Sequence, residues 1–361
     1  MKVALTHDYL NQYGGAERVL ETLMEIFPDA PVYTLLYDRQ KTFGRFDGRV
    51  KKTSFLDLDF VRKNHRLFIP LMPLAAQMML VDDGYDLIIS SSAGYAKGIS
   101  LKSNVKHISY CHTPLRYAWE EEYLTGVISN FQLSIFKSIL NYLRNWDFRA
   151  GQKPDILIAN SRFIADKIKK YYGRDSTVIY PPVDLKVFNP ELTNPKSYFM
   201  AAGRLMHYKR FDLIVKSFNA LRLPLKIVGS GPEFERLESR IKNLKSRNIE
   251  IIPFIKNTNE LRELYCGAKA FIFPQVEDFG LVAAEAIACG TPVIAYNAGG
   301  AKEIVAHGEN GILFNEQTEN SLKNAVQEFS KYKFDPVKVA ASAKKFSKEE
   351  FIRKIKTLVK L

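Results

Sequence analysis

Only three cysteines, Cys111, Cys266 and Cys289, occur in 361 residues, and no two form a Cys-x-x-Cys pair. An odd number so widely spaced argues against a disulfide framework and a zinc site, and it fits a reducing compartment. Long apolar runs are also missing, so no segment reads as a membrane span. The opening Met1-Lys2-Val3-Ala4-Leu5-Thr6 turns polar at once. It reads as a strand rather than a signal peptide, and a cytoplasmic location is the expectation. Histidines and carboxylates do not gather at metal-ligand spacing, so no metal is expected. Low-complexity segments and short-period repeats are absent too.

What is present describes a globular protein. The chain is 46% hydrophobic and 25% charged, ordinary proportions for a soluble fold. Its length exceeds what one compact core holds, which predicts two domains. The net charge is +13, and residues 331–361 hold ten Lys or Arg against three Asp or Glu. A basic end can meet nucleic acid, an anionic membrane surface, or only water. No basic motif interleaved with aromatics supports nucleic acid, so that partner is not expected. After Ser347, Phe351, Ile352, Ile355, Leu358 and Val359 make one apolar stripe with lysines elsewhere. This is an amphipathic helix, either docked on the protein or touching a membrane.

Strand-like and helix-like segments alternate along the chain. Lys2–Thr6, Leu87–Ser90, Lys106–Tyr110, Asp155–Asn160 and Thr177–Tyr180 read as buried strands. Ala16–Ile26, Ser129–Arg149 and Arg162–Tyr172 read as helices among them. The rhythm restarts with strands at Tyr198–Ala202, Leu225–Val228, Ile249–Pro253, Ala270–Phe273 and Pro292–Tyr296. Helices fill the gaps at Arg210–Leu221, Glu233–Lys245, Asn259–Cys266 and Gly280–Ala288. Such alternation predicts an α/β protein with parallel sheets covered on both faces. Prolines at Pro181-Pro182, Asn189-Pro190 and Asn194-Pro195 place the domain boundary between them. The expected domains are 1–182, 183–346 and a terminal basic helix, 347–361, that packs back on the first. Leu67–Val81 carries a single polar residue behind the basic run Arg62-Lys63-Asn64-His65-Arg66. It fits a core helix or an interfacial segment equally well.

The most informative stretch is Val276-Glu277-Asp278-Phe279-Gly280-Leu281-Val282-Ala283-Ala284-Glu285-Ala286-Ile287-Ala288-Cys289-Gly290-Thr291-Pro292-Val293-Ile294. Two glutamates stand eight positions apart, one before a glycine-opened helix and one inside it. A helix apolar all round is a buried helix. Glu285 therefore needs a hydrogen-bonding partner. A ligand polyol would serve, as would an internal salt bridge or a backbone amide.

This pattern, with Glu-x-Phe-Gly-Leu between the acids and Gly-Thr-Pro-Val-Ile behind them, resembles the signature of retaining glycosyltransferases of family 4. The resemblance implies a GT-B fold, two Rossmann-like parallel-sheet domains facing across a cleft. It implies a sugar-nucleotide donor, with Glu277 on the transferred sugar and Glu285 on the ribose. Gly203-Arg204-Leu205 with Lys209 matches the family's Gly-Arg-Leu…Lys pattern. Arg204 and Lys209 would face the departing diphosphate; by residue type alone they equally describe a solvated helix start. Gly14-Gly15 precedes a helix, where backbone can approach an anion, although a plain turn reads as well. The amides of Phe279, Gly280 and Leu281 are placed near the donor in the same way.

His112, in Tyr110-Cys111-His112-Thr113-Pro114, matches the histidine that contacts the transferred sugar in that family. His7 and Asp8, read as just past the first strand, are weaker candidates for the same site. Asp57-Leu58-Asp59 has the manganese spacing of the other glycosyltransferase fold, but it lies in an alternating, half-exposed segment and is taken as coincidence. Gly299-Gly300 and Asn310-Gly311 read as turn chemistry. His7-Asp8-Tyr9 with Gly14-Gly15-Ala16-Glu17 looks most like bacterial mannosyltransferases of O-antigen or exopolysaccharide synthesis. The expectation is a hexosyltransferase using GDP-mannose, with no cofactor, acting on a glycan or lipid-linked glycan at the inner face of the membrane. A UDP-sugar enzyme, a nucleotide-sugar epimerase and a silent donor-binding subunit are the alternatives. No oligomeric state is read from the sequence.

Overall fold

The computed structural model describes residues 1–102, 105–120, 130–192 and 196–360, with side chains given outside 130–136. Ser129, where the sequence reading starts the long helix, and Asn194-Pro195 of the boundary lie outside these residues. The chain divides into two compact units, Met1–Pro181 with Ile352–Leu361, and Pro182–Phe351.

The first unit is built on a parallel sheet of seven described strands: β1 (Val3–Leu10), β2 (Val32–Tyr37), β3 (Val50–Thr53), β4 (Leu87–Ser92), β5 (Lys106–Cys111), β6 (Ile156–Ala159) and β7 (Thr177–Val178). Their order is β3-β2-β1-β4-β5-β6-β7. Runs such as Val32–Leu36 are buried without alternation, as expected for strands covered on both faces. The helices are bounded by local chemistry. Arg162–Tyr172 starts where the Ser161 hydroxyl accepts the Ile164 N–H at 3.1 Å and stops at Gly173, whose φ is 68°.

The second unit repeats the plan with β8 (Tyr198–Ala202), β9 (Leu225–Val228), β10 (Ile249–Ile252), β11 (Ala268–Phe273), β12 (Val293–Tyr296) and β13 (Gly311–Phe314). The order is β10-β9-β8-β11-β12-β13, again parallel throughout. The chain order reverses between β1 and β4 in the first sheet and between β8 and β11 in the second. In open α/β sheets, ligands bind beyond the carboxyl ends of the strands at this reversal.

Two expectations are refined. β1 runs on to Leu10, so His7 and Asp8 lie within the strand rather than past its end. The terminal helix Lys348–Val359 buries Phe351, Ile355 and Val359, so its apolar stripe is docked on protein. Leu67–Val81 divides between the two readings. Met72, Ala75, Ala76, Met79 and Val81 join the core, while Leu67, Leu71, Leu74, Met78 and Leu80 are exposed. Asp57 and Asp59 both face Arg62, at 2.8 Å each, which accounts for their spacing.

Candidate active site

In the second unit, the loops after β8 and β11 bring three of the expected residues together. Lys209 closes a short 3-10 turn, His207–Lys209, and its Nζ lies 2.7 Å from Glu277 Oε1. Burial alone would push the Lys209 ammonium down. The Glu277 carboxylate outweighs that and holds it above its ordinary value, while the nearby Arg204 charge opposes. Gln275 Nε2 donates to the same Glu277 oxygen at 3.3 Å. Arg204 itself is exposed beyond β8. Two cations and one carboxylate therefore stand beside the sheet's point of reversal.

Close backbone packing sets this geometry. Gly280 has φ 106°, and a Cβ there would lie 2.8 Å from the Phe273 ring. It opens the helix Leu281–Ala288, whose first-turn amides point out of the N-terminus. The Phe279 side chain is buried edge-on against Phe346, at a centroid distance of 5.3 Å, so only its backbone is left for a ligand role. Gly300 donates its N–H to the Glu277 carbonyl at 2.8 Å. A Cβ on Gly300 would sit 2.2 Å from the Phe279 carbonyl oxygen. Gly229 and Gly231 press in the same way on residues 203–205. Glu285 is 1% exposed and accepts the Tyr265 hydroxyl at 3.3 Å.

In the first unit, Gly14 precedes the helix Gly15–Ile26, and its N–H donates to Glu17 Oε2 at 2.7 Å. The Gly14 amide is thus committed to the helix cap, and the first-turn amides of Gly15 and Ala16 are left to meet an anion. The other Glu17 oxygen lies 3.6 Å from His7 Nε2. His7 Nδ1 is 3.1 Å from Ser91 Oγ, and that hydroxyl is 2.8 Å from His112 Nε2. Parallel register makes this contact, because His7 and Ser91 are directly opposed on β1 and β4. Burial, helped by the neighbouring His7, pushes His112 down to about 3, so its ring is neutral at working pH. Its carbonyl accepts the Asn160 amide at 2.9 Å.

Asp8 does not join these residues. Its carboxylate accepts the N–H groups of Ala93, Tyr95 and Ala96 at 2.6, 2.8 and 2.5 Å. It is therefore a clamp on the loop after β4. The loop after His112 is fixed by Asp147, which pairs with Lys97 at 2.7 Å with both side chains fully buried. Asp147 also accepts from Trp119, Tyr172 and the Leu115 amide.

Sequence reading missed Gln275, Ser91, Glu17 and Gly229-Ser230-Gly231 as parts of these sites. The glycine pair just past β9 was the available signal.

The glycosyltransferase family 4 description matches residues 13–187, and that of glycosyl transferases group 1 matches residues 184–349. The two matches together run through residues 13–349, each over just under half of the chain. It is 25% identical to the alpha-1,3/1,6-mannosyltransferase ALG2 of Dictyostelium discoideum over 100% of this chain and 98% of that one. It is 33% identical to a D-inositol 3-phosphate glycosyltransferase of Paenarthrobacter aurescens over 44% of each chain. The first curated relatives are matched over 56%, 40% and 44% of their own length. Among solved structures, Anabaena Alr3699/HepE in complex with UDP superposes with a TM-score of 0.74 at 19% identity, over 100% of both chains. The fold of this chain is accordingly GT-B, two Rossmann-like parallel-sheet domains.

Proposed function

We propose that this protein is a glycosyltransferase that moves a hexose, with retention, from a nucleotide diphosphate sugar to a hydroxyl of a lipid-linked glycan. The observation that carries the reading is the Lys209–Glu277 pair beside Arg204 at the reversal point of the second sheet. Departure of the nucleoside diphosphate builds negative charge on its terminal phosphate. Cations fixed in place beforehand stabilise that charge without reorganising. Arg204 supplies a forked donor and Lys209 a point charge. Glu277 orients the hexose through its hydroxyls, and Glu285, already held by Tyr265, takes the ribose. His112 is uncharged and bonds a sugar hydroxyl. No carboxylate is assigned as nucleophile. The departing phosphate helps to deprotonate the acceptor, which attacks the face the leaving group quits.

Mannose from GDP-mannose is the favoured donor, supported by the full-length similarity to a mannosyltransferase. A UDP-sugar is the second reading, because HepE structures were solved with UDP and with UDP-glucose. A thermal-shift panel of GDP-, UDP- and ADP-sugars tests the donor, since a ligand that binds only the folded state raises the melting temperature. Incubation with donor alone, then with donor and lipid-linked acceptor, separates a transferase from an epimerase or a silent subunit. A transferred sugar of inverted configuration would overturn the front-face mechanism.

A further inference from the structure

The four side chains Glu17, His7, Ser91 and His112 form one buried line, and its direction is set by what each atom can donate. Their exposures are 2%, 2%, 0% and 8%. Glu17 Oε2 is committed to the Gly14 N–H, and Oε1 faces His7 Nε2 at 3.6 Å. A carboxylate only accepts, so the ring nitrogen beside it is the one that carries hydrogen. In the uncharged ring the remaining His7 nitrogen, Nδ1, holds a lone pair and accepts the Ser91 O–H across 3.1 Å. With its only hydrogen given to His7, Ser91 Oγ must accept from His112 Nε2 across 2.8 Å. With an uncharged His7 ring, each step leaves one choice of donor.

We propose that Glu17, His7 and Ser91 are positioning residues that hold His112 in the Nε2–H tautomer, so that its Nδ1 offers a lone pair to a sugar hydroxyl. The assignment deepens the proposed function and rests on His112 facing the sugars. It also ties the glycine loop to the histidine. The carboxylate that caps the helix after Gly14 is the same one that orients His7. A shift of that loop is felt at His112 through three contacts.

Glu17→Gln gives a sharp test, because the capping role survives while the polarity inverts. The Gly14 N–H still requires an acceptor, so the amide oxygen takes Oε2's place and the NH2 group faces His7. His7 must then accept at Nε2 and carry hydrogen on Nδ1. Ser91 accepts from His7 and donates to His112, whose hydrogen moves to Nδ1. Long-range 1H–15N correlation spectra of the histidine-labelled full chain read the tautomer directly, with the His112 signals assigned by loss in His112→Asn. The expected result is Nε2–H in the parent and Nδ1–H in Glu17→Gln. A parent with hydrogen on Nδ1, or a Glu17→Gln spectrum unchanged at His112, overturns the proposal. Ser91→Ala provides a second variant: it cuts the line, and His112 should then populate both tautomers. Turnover of Glu17→Gln should fall by at least about tenfold at unchanged donor KM, the size expected when one hydrogen-bonding group faces the wrong way. Should the parent transfer no sugar, the spectra still decide the tautomer, so failure of the relay and failure of the transferase reading remain distinct.

Discussion

Lys209 has neighbours that pull its charge in opposite directions. Burial and Arg204 disfavour the ammonium, and Glu277 at 2.7 Å restores it. The pair is partly buried, with side-chain exposures of 13% and 19%, so its use lies in alignment more than in stability. Arg204 is exposed, and surface substitutions usually change stability by no more than about 0.5 kcal/mol. Arg204→Ala should therefore lower turnover by roughly two to three orders of magnitude while leaving the melting temperature nearly unchanged. Steady-state kinetics beside a thermal melt checks this, and turnover within twofold of the parent would remove Arg204 from the mechanism. Glu285→Gln keeps an acceptor for the Tyr265 hydroxyl but loses the charge. Donor affinity should weaken about tenfold, the worth of a charge-assisted hydrogen bond. Titration calorimetry with the sugar nucleotide reads it, and parental affinity would end the ribose assignment.

The glycine contacts act at the scale of whole loops. Gly300 has an ordinary helical φ of −65°, so its requirement is space rather than conformation. A methyl there would meet the Phe279 carbonyl oxygen at 2.2 Å and its Cα at 2.4 Å. The loop Val276–Gly280 must move, and Glu277 moves with it. Gly300→Ala should cost about 1–3 kcal/mol of stability and, by misplacing Glu277, roughly a hundredfold in turnover. Parental turnover in a folded Gly300→Ala protein would show that this loop tolerates displacement. The same contrast explains what the sequence disclosed. The alternation of elements, the helix opened by Gly280 and the Gly-Arg-Leu turn are local patterns, and they were readable. β2 was not read because Val32–Leu36 is buried on both faces and shows no period. β3 carries Lys51 and Lys52 at the sheet edge, and β13 begins on Gly311. Gly299-Gly300 read as a turn because their partner, Glu277, lies more than twenty positions away. Ser91 and His7 are 84 residues apart, and only strand register joins them.

Across the whole molecule, the exposed large hydrophobics and the histidines are both unevenly placed. Phe55, Leu58, Phe60, Leu67, Leu71, Leu74, Met78 and Leu80 are exposed within one segment that also exposes Lys63 and Arg66. An interfacial segment of this composition would rest its exposed apolar side chains on an anionic bilayer. Changing Leu58, Phe60, Leu67 and Met78 to Ser should abolish co-sedimentation with phosphatidylglycerol vesicles, and retained binding would exclude the face. The histidines predict how the first unit responds to acid. His107 is held down to about 4 and His112 to about 3, in both cases chiefly by burial, whereas His207 and His307 of the second unit are exposed. An unfolded chain protonates its histidines near pH 6.5. The folded first unit refuses those protons until pH falls to about 4 and about 3. The stability they contribute is therefore complete above about pH 6.5 and is lost as pH falls toward the folded values, at up to about 1.4 kcal/mol per pH unit for each. Between pH 7 and pH 5 the first unit should lose about 4 kcal/mol from this source. Trp119 and Trp146, the only two tryptophans, both lie in that unit. Urea unfolding followed by tryptophan fluorescence thus reports it alone, while far-ultraviolet circular dichroism follows both units. His107→Gln should remove about half of the pH dependence. A parent equally stable at pH 7 and pH 5 by fluorescence would mean that these two rings are not neutral in the folded sheet, and a neutral His112 with its relay to His7 would fall with them.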